Sequence, residues 1–230
     1  MNRTARKSAG AWAGAIVLLL GLCSCVAPDC KVEPWRQAGR PAGTLERCRR
    51  PWGLECLYRN NAGQPVRIER RTDATHFCPG ACITTLAYGT NGDLEVERFL
   101  DANEAACLND DGFAVRQYHY PAESETERVI EESYLDLQQQ PVLTRPGFAL
   151  VRRTQDLNGR PIRIQLYDVA GKPASAVWLE VTNVAEVKFV SLQGVTEVTG
   201  AIFLDAAGNI VARKQVSGLT TKKWITWDYR

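Results

Sequence analysis

Asp or Asn followed three residues later by Gly recurs five times in this chain, at Asn60–Gly63, Asn109–Gly112, Asp156–Gly159, Asp168–Gly171 and Asp205–Gly208. Residues of these types placed at random would give about one or two such pairs. The spacing has a mechanism. A type I turn favours Asp or Asn at its first position, where the side chain can accept backbone amides. It favours Gly at its fourth, where a left-handed residue forms a bulge and returns the chain as a hairpin. The flanking segments alternate as strands do, in Ile162, Ile164 and Leu166, in Val177, Leu179 and Val181, and in Ile225, Trp227 and Tyr229. Helical periodicity is weak, and only Glu123 to Tyr134 offers a candidate helix. The expected fold is mainly β, an antiparallel meander of hairpin repeats.

A longer period runs beneath the turns. Laying residues 99–120 on 134–155, an offset of 35, gives six identities: Leu100, Asp101, Leu108, Gly112, Phe113 and Ala114 on Leu135, Asp136, Leu143, Gly147, Phe148 and Ala149. A third half-copy starts at Tyr167-Asp168 with Gly171-Lys172-Pro173-Ala174, and an earlier one spans Tyr58 to Val66. The turns starting at Asp101 and Asp136 carry Glu104 and Gln139 where the others carry Gly. Units of the form aromatic-x-Asp-x-x-Gly-x-Pro, then Gly-aromatic-Ala, then Asp-x-x-Gly, resemble the tandem hairpin repeats of bacterial surface and envelope proteins. Rhs-type YD repeats are the best-known of these, and MORN-type repeats are a looser comparison. The resemblance covers residues 54 to 175 and a lone Phe203-Leu204-Asp205-Ala206-Ala207-Gly208. It implies a hairpin-built sheet and no activity. One hairpin buries too little apolar surface to stand alone, so Tyr, Phe and Leu at equivalent positions are expected to form a shared face.

The N-terminus carries a different message. Arg3, Arg6 and Lys7 precede an uncharged run of 14 residues, Ala9 to Leu22. That run is shorter than the roughly 20 apolar residues a spanning helix needs, and it fits a secretory signal. It ends Leu22-Cys23-Ser24-Cys25, which resembles a bacterial lipobox, with a small residue before Cys25 and an aliphatic one at minus three. The resemblance implies acylation at Cys25 and a cell-envelope protein held to a membrane by its lipid. Val26, in place of the Asp that retains some lipoproteins in the inner membrane, points to an outer-membrane location facing the periplasm.

Beyond residue 24 the chain has 25 Lys+Arg against 26 Asp+Glu, so its net charge is −1. A near-neutral chain gives no reason to expect nucleic acid as a partner. The arginine clusters Arg47, Arg49, Arg50 and Arg67, Arg70, Arg71 are read as solvated strand faces, with anionic lipid or a wall polymer as the alternative. Six cysteines remain after the lipobox: Cys30, Cys48, Cys56, Cys78, Cys82 and Cys107. An even count in an exported chain reads as a disulfide framework, here three bridges confined to the N-terminal half. The alternative use of His76, Cys78 and Cys82 is metal or redox handling, although the spacing is not that of a zinc finger.

Catalytic signatures are sparse. Two histidines, His76 and His119, stand far from any nucleophile-elbow motif, and no Gly-rich phosphate loop opens a helix. A glycosidase-like carboxylate pair leaves no local spacing and stays open as an alternative. Glu123, Glu125 and Glu127 are read as a solvated hairpin tip. The expected organisation is a signal peptide (1–24), a lipid-anchored tether and irregular lead-in (25–53), a hairpin-repeat region (54–175), and C-terminal strands (176–230) that pack on or cap the repeats, with Trp178, Trp224, Trp227 and Tyr229 closing the sheet. The expected function is non-catalytic binding or scaffolding of an envelope protein or glycan. No metal and no cofactor is expected.

Overall fold

The computed structural model describes residues 30–35, 43–51, 53–73, 76, 79–121, 124–191 and 198–219. Its strands are β1 (Cys30–Trp35), β2 (Gly43–Arg50), β3 (Gly53–Arg59), β4 (Pro65–Arg71), β5 (Ile83–Tyr88), β6 (Leu94–Leu100), β7 (Val115–His119), β8 (Glu127–Leu135), β9 (Leu150–Asp156), β10 (Pro161–Tyr167), β11 (Ala176–Trp178), β12 (Val181–Val184), β13 (Glu186–Ser191), β14 (Val198–Leu204) and β15 (Ile210–Leu219). No helix occurs among the described residues. Thirteen strands form one antiparallel meander, β1 through β10 in sequence order and then β13, β14 and β15, while β11 and β12 pair separately.

Nine turns share one geometry, beginning at Asn60, Gly89, Asp101, Asn109, Asp136, Thr144, Asp156, Asp168 and Asp205. In each, the fourth residue donates its amide to the first residue's carbonyl, and the first donates to the carbonyl of the fifth. The fourth residue always has positive φ, from 60° at Gln139 to 99° at Gly147. At Asp168 the carboxylate accepts the amides of Ala170 and Lys172, both at 2.9 Å. Asp101 and Asp136 make the same pair of bonds, which hold Glu104 (φ 65°) and Gln139 (φ 60°) in the left-handed region without glycine. Two charge-assisted bonds to backbone amides per turn offset the roughly 1–2 kcal/mol that a side chain costs there.

The sheet has two unlike ends. Tight hairpins at residues 60–63, 89–92 and 156–159 lie at one end. At the other, long connections follow β4, β6, β8 and β10, over residues 72–82, 101–114, 136–149 and 168–185. Each long connection re-enters the sheet through one residue that bonds two strands. Cys82, Ala114, Ala149 and Ala185 accept the amides of Arg70, Phe99, Tyr134 and Leu166, at 2.7 to 3.1 Å. They donate in turn to the carbonyls of Leu100, Leu135, Tyr167 and Leu204. Isolated bridges Leu100–Ala106, Leu135–Pro141 and Tyr167–Pro173 mark the same point in three successive units. The offset of 35 residues is therefore the distance along the chain from the first of these units to the second, and the third follows after 32.

The strand register puts Phe99, Tyr134, Val151, Ile164, Leu166, Val187 and Phe203 on one face. The long connections fold back over it and contribute Phe113, Phe148, Ala174, Ala176, Trp178 and Val184 to the core. Phe99, Phe113, Tyr134, Phe148 and Trp178 form a ladder of rings with centroids 4.8 to 5.6 Å apart, alternating sheet and connection as far as Phe148 and ending on Trp178 of a second connection. Inclined ring pairs of this kind add about 0.5–1.5 kcal/mol each beyond burial. The connections also bond one another, Arg145 to Asp111 and Val177 to Pro146, through their backbones.

Four expectations need adjustment. The lead-in is not wholly irregular: β1 and β2 fall within it, and Pro34 is tolerated because β1 is an edge strand. Of the possible helix at Glu123 to Tyr134, the residues from Glu127 onward lie in strand β8. The alternation Val177, Leu179, Val181 is out of phase, since Ala176 and Trp178 are buried, Val177 is exposed, and the chain reverses at Leu179 and Glu180, both at positive φ. Finally, β11 and β12, with Trp178, cover the core face, whereas β13–β15 extend the main sheet. Trp224, Ile225, Trp227 and Tyr229 lie outside the described residues.

Candidate functional site

Cys25 and Cys78 lie outside the described residues, so the proposed lipidation site and the middle ligand of the His76/Cys78/Cys82 group are not placed. Cys30 and Cys48 are directly opposed on β1 and β2 and form a disulfide. The expectation of three bridges is corrected at Cys56 and Cys107, which are thiols. The register explains Cys56: it stands opposite Arg47, so it projects from the other face of the sheet than Cys48. Burial pushes its thiol above the ordinary range, and burial with the nearby Asp101 carboxylate does the same to Cys107. Cys82 is buried at the stitch between β4 and β6. His76 is exposed, and its Nδ1 lies 3.0 Å from the Asp73 carboxylate. Among the described residues, the group spaced to share an ion is Cys30, Glu46 and Cys48, and its two sulfurs are joined to each other.

Among the described residues two carboxylates are deeply buried, and both sit among arginines. Glu69 on β4 receives Arg67 at 2.7 Å and Arg71 at 2.6 Å, three side chains on one face at every second residue, and accepts the Tyr58 hydroxyl at 3.2 Å. Arg67 reaches on to Glu104 at 2.8 Å. Glu132 on β8 receives Arg153 of β9 at 2.5 Å and the Tyr134 hydroxyl at 3.0 Å, with Arg116 of β7 at 3.9 Å. The Arg116 guanidinium also meets Glu97 at 3.0 Å and lies 5.8 Å from the centre of the Phe113 ring and 5.9 Å from that of Tyr118.

Burial alone would raise both glutamates, but the arginines outweigh it and hold each below the usual carboxylate range. Burial, reinforced by Glu69, raises the Tyr58 phenol to about 12, and burial drives Tyr118 higher still. A proton donor to a leaving group needs the opposite shift, a carboxyl raised toward neutrality. These two centres are built to stay ionised. Arg67 and Arg71, expected on solvated faces, are drawn to Glu69 instead, and nothing in the sequence marks Glu132. Arg67-x-Glu69-x-Arg71 is a legible signal, because alternate strand residues share a face. The Arg116–Glu132–Arg153 set is assembled across three strands and leaves none.

The face opposite the aromatic core carries Gln117, Ser133, Arg152, Gln165 and Lys188, all exposed or half-exposed. Arg152 there pairs with Glu131 at 2.6 Å and lies 5.6 Å from the centre of the Tyr167 ring. Two open grooves meet at Ser133. One of about 470 Å³ is walled by Gln117, His119, Tyr120, Asn91 and Glu95; the other, about 260 Å³, by Leu150, Arg152, Tyr167 and Pro141. Both are shallow, and polar groups alternate with tyrosine rings along them. Glu125 and Glu127 belong to the β7–β8 hairpin tip, where Ser124 caps the turn through bonds to Glu127; Glu123 lies outside the described residues. No protein-family model matches this chain, and no curated protein is similar to it.

Proposed function

We propose that the protein is a lipid-anchored lipoprotein of the cell envelope that binds or scaffolds another envelope component, with no catalysis of its own. The observation that carries this reading is the polar sheet face with its two open grooves, set against buried carboxylates that arginines hold ionised. A shallow, polar, ring-bearing surface over several strands suits an extended partner, a glycan strand or a protein segment, better than it suits a small substrate, which needs enclosure. The signal and lipobox at residues 1–25 supply the membrane address.

The test is capture from native membranes by the lipidated protein and by Gln117→Glu/Arg152→Glu, which changes the grooves without touching the aromatic core. Partner recovery should fall while thermal stability stays within a few degrees. Unchanged recovery, or cleavage of wall or glycan material by the purified wild type, would contradict the reading.

A further inference from the structure

We propose that the end of the sheet bearing the long connections faces the membrane, with the tips of its turns seated in the lipid interface. The inference rests on acylation at Cys25 and adds an orientation to it. Strand β1 begins at that end. Cys30 is opposed to Cys48, Cys48 to Glu55, and Glu55 to Arg70, the residue that leads into the first long connection. Cys30 thus lies at the long-connection end of its strand; the register then steps by two residues, so that Phe99, through Thr84, Ile68, Leu57 and Glu46, is level with Val32. Five residues separate Cys25 from Cys30. Fully extended, that length reaches at most about 18 Å, so the acyl chains hold this end of the sheet beside the bilayer.

The turn tips at this end match such a surface. The second positions of the turns that directly follow β6, β8, β10 and β14, at Asp101, Asp136, Asp168 and Asp205, are Ala102, Leu137, Val169 and Ala206, all exposed and none polar, while the two turns deeper in the long connections carry Asp110 and Arg145 there. Leu137 is 46% exposed and Val169 54%. The first-position carboxylates accept their own turn amides, while Arg49, Arg70 and Lys172 stand exposed at the same end. Short apolar tips among cations suit an interface carrying anionic headgroups. At the far end the matching positions are Asn61, Thr90 and Leu157, so Leu157, 61% exposed, is an internal control of the same chemistry in the same turn position.

The experiment uses the lipoprotein purified from membranes and reconstituted in phosphatidylethanolamine–phosphatidylglycerol vesicles doped with a diazirine lipid that reacts at the interface. Trypsin, which spares the Arg145-Pro146, Arg160-Pro161 and Lys172-Pro173 bonds, still separates the three sites, since residues 129–152 carry Leu137, 164–188 carry Val169 and 154–163 carry Leu157. Lipid adducts should be several-fold more frequent on the first two peptides than on the third. In Leu137→Asp/Val169→Asp, which replaces two half-exposed turn side chains outside the buried core, those adducts should fall to the level of the Leu157 peptide. Equal labelling of all three, or labelling centred on 154–163, would overturn the orientation alone. The N-terminal peptide in the same digest reads the anchor, and an unmodified Cys25 would overturn the anchor and the orientation together.

Discussion

The two halves of this sheet use the same turns and the same strand stitching around different interiors. From β6 to β14 the buried face is a ladder of rings and aliphatic side chains. In β2 to β5 the deepest positions include Cys56, Arg67, Glu69 and Ile83, on the opposite face by register. The change can be traced to single positions. Arg70 stands where later units have Phe99, Tyr134, Leu166 and Phe203, and Cys82 stands where they have Ala114, Ala149 and Ala185. Without a ring at that point the first unit cannot extend the ladder. It is held instead by the Cys30–Cys48 bridge and the Arg67–Glu69–Arg71 network. Backbone geometry set by turns thus tolerates a change of interior that a layered globular core would not.

The comparison breaks first at the ladder. Phe148 is fully buried between Tyr134 and Trp178, with centroids at 5.5 and 5.6 Å. Phe148→Ala should lower stability by about 3–5 kcal/mol, read as a shift of the denaturation midpoint. A loss below 1 kcal/mol would mean that the long connections do not pack on the sheet.

In the other half, Cys30→Ser/Cys48→Ser opens a cross-link between residues 18 apart. A loop of that size should contribute about 3 kcal/mol, and the loss should register in probes on β1–β4 and not in those on β9–β14. An equal response in both halves would erase the distinction drawn between them.

Acid should strain both halves, through their shared use of buried glutamates. Glu69 and Glu132 have lowered pKa values in the fold, so the unfolded chain binds more protons as pH falls. Their stabilisation is complete above the unfolded glutamate pKa of about 4.3 and is lost as pH drops through the lower folded values. Denaturation midpoints should be flat between pH 6 and 8 on this account and fall below about pH 4.5. Glu132→Gln should flatten that fall; a midpoint that rises on acidification would contradict the assignment.

The smallest effects lie at the turns. A Cβ on Gly171 would meet nothing within 4 Å, so the cost of Gly171→Val comes from its φ of 74° alone. It should be about 1–2 kcal/mol, whereas Lys172→Ala beside it should stay within about 0.5 kcal/mol. Both are readable in thermal melts.

What the sequence made legible follows the same division. Local chemistry was readable: Asp168 and Gly171 announce a turn because the bonds that make it lie within five residues. Glu104 and Gln139 seemed to depart from that pattern, yet the carboxylates of Asp101 and Asp136 hold them in it. Side-chain fate across strands was not readable. Arg67 and Glu132 look like surface residues until the register brings Glu69, Arg116 and Arg153 to them. Trp178 was visible as an aromatic near the end of the repeats. That it covers the core from a two-stranded excursion depends on a reversal at Leu179 and Glu180, neither of which signals a turn. The polar groove at Ser133 is likewise a product of register, with walls drawn from five strands and their turns.

Amide hydrogen exchange with and without reductant tests the two-interior account most directly. The amides of Ala114, Ala149 and Ala185, each tying one long connection to the next strand, should exchange among the slowest in the chain. Reducing Cys30–Cys48 should accelerate the amides of β1 and β2 and leave Ala149 and Ala185 unchanged. Acceleration of Ala149 and Ala185 to the same degree would contradict the account, because the sheet would then be one cooperative unit that depends on its bridge throughout.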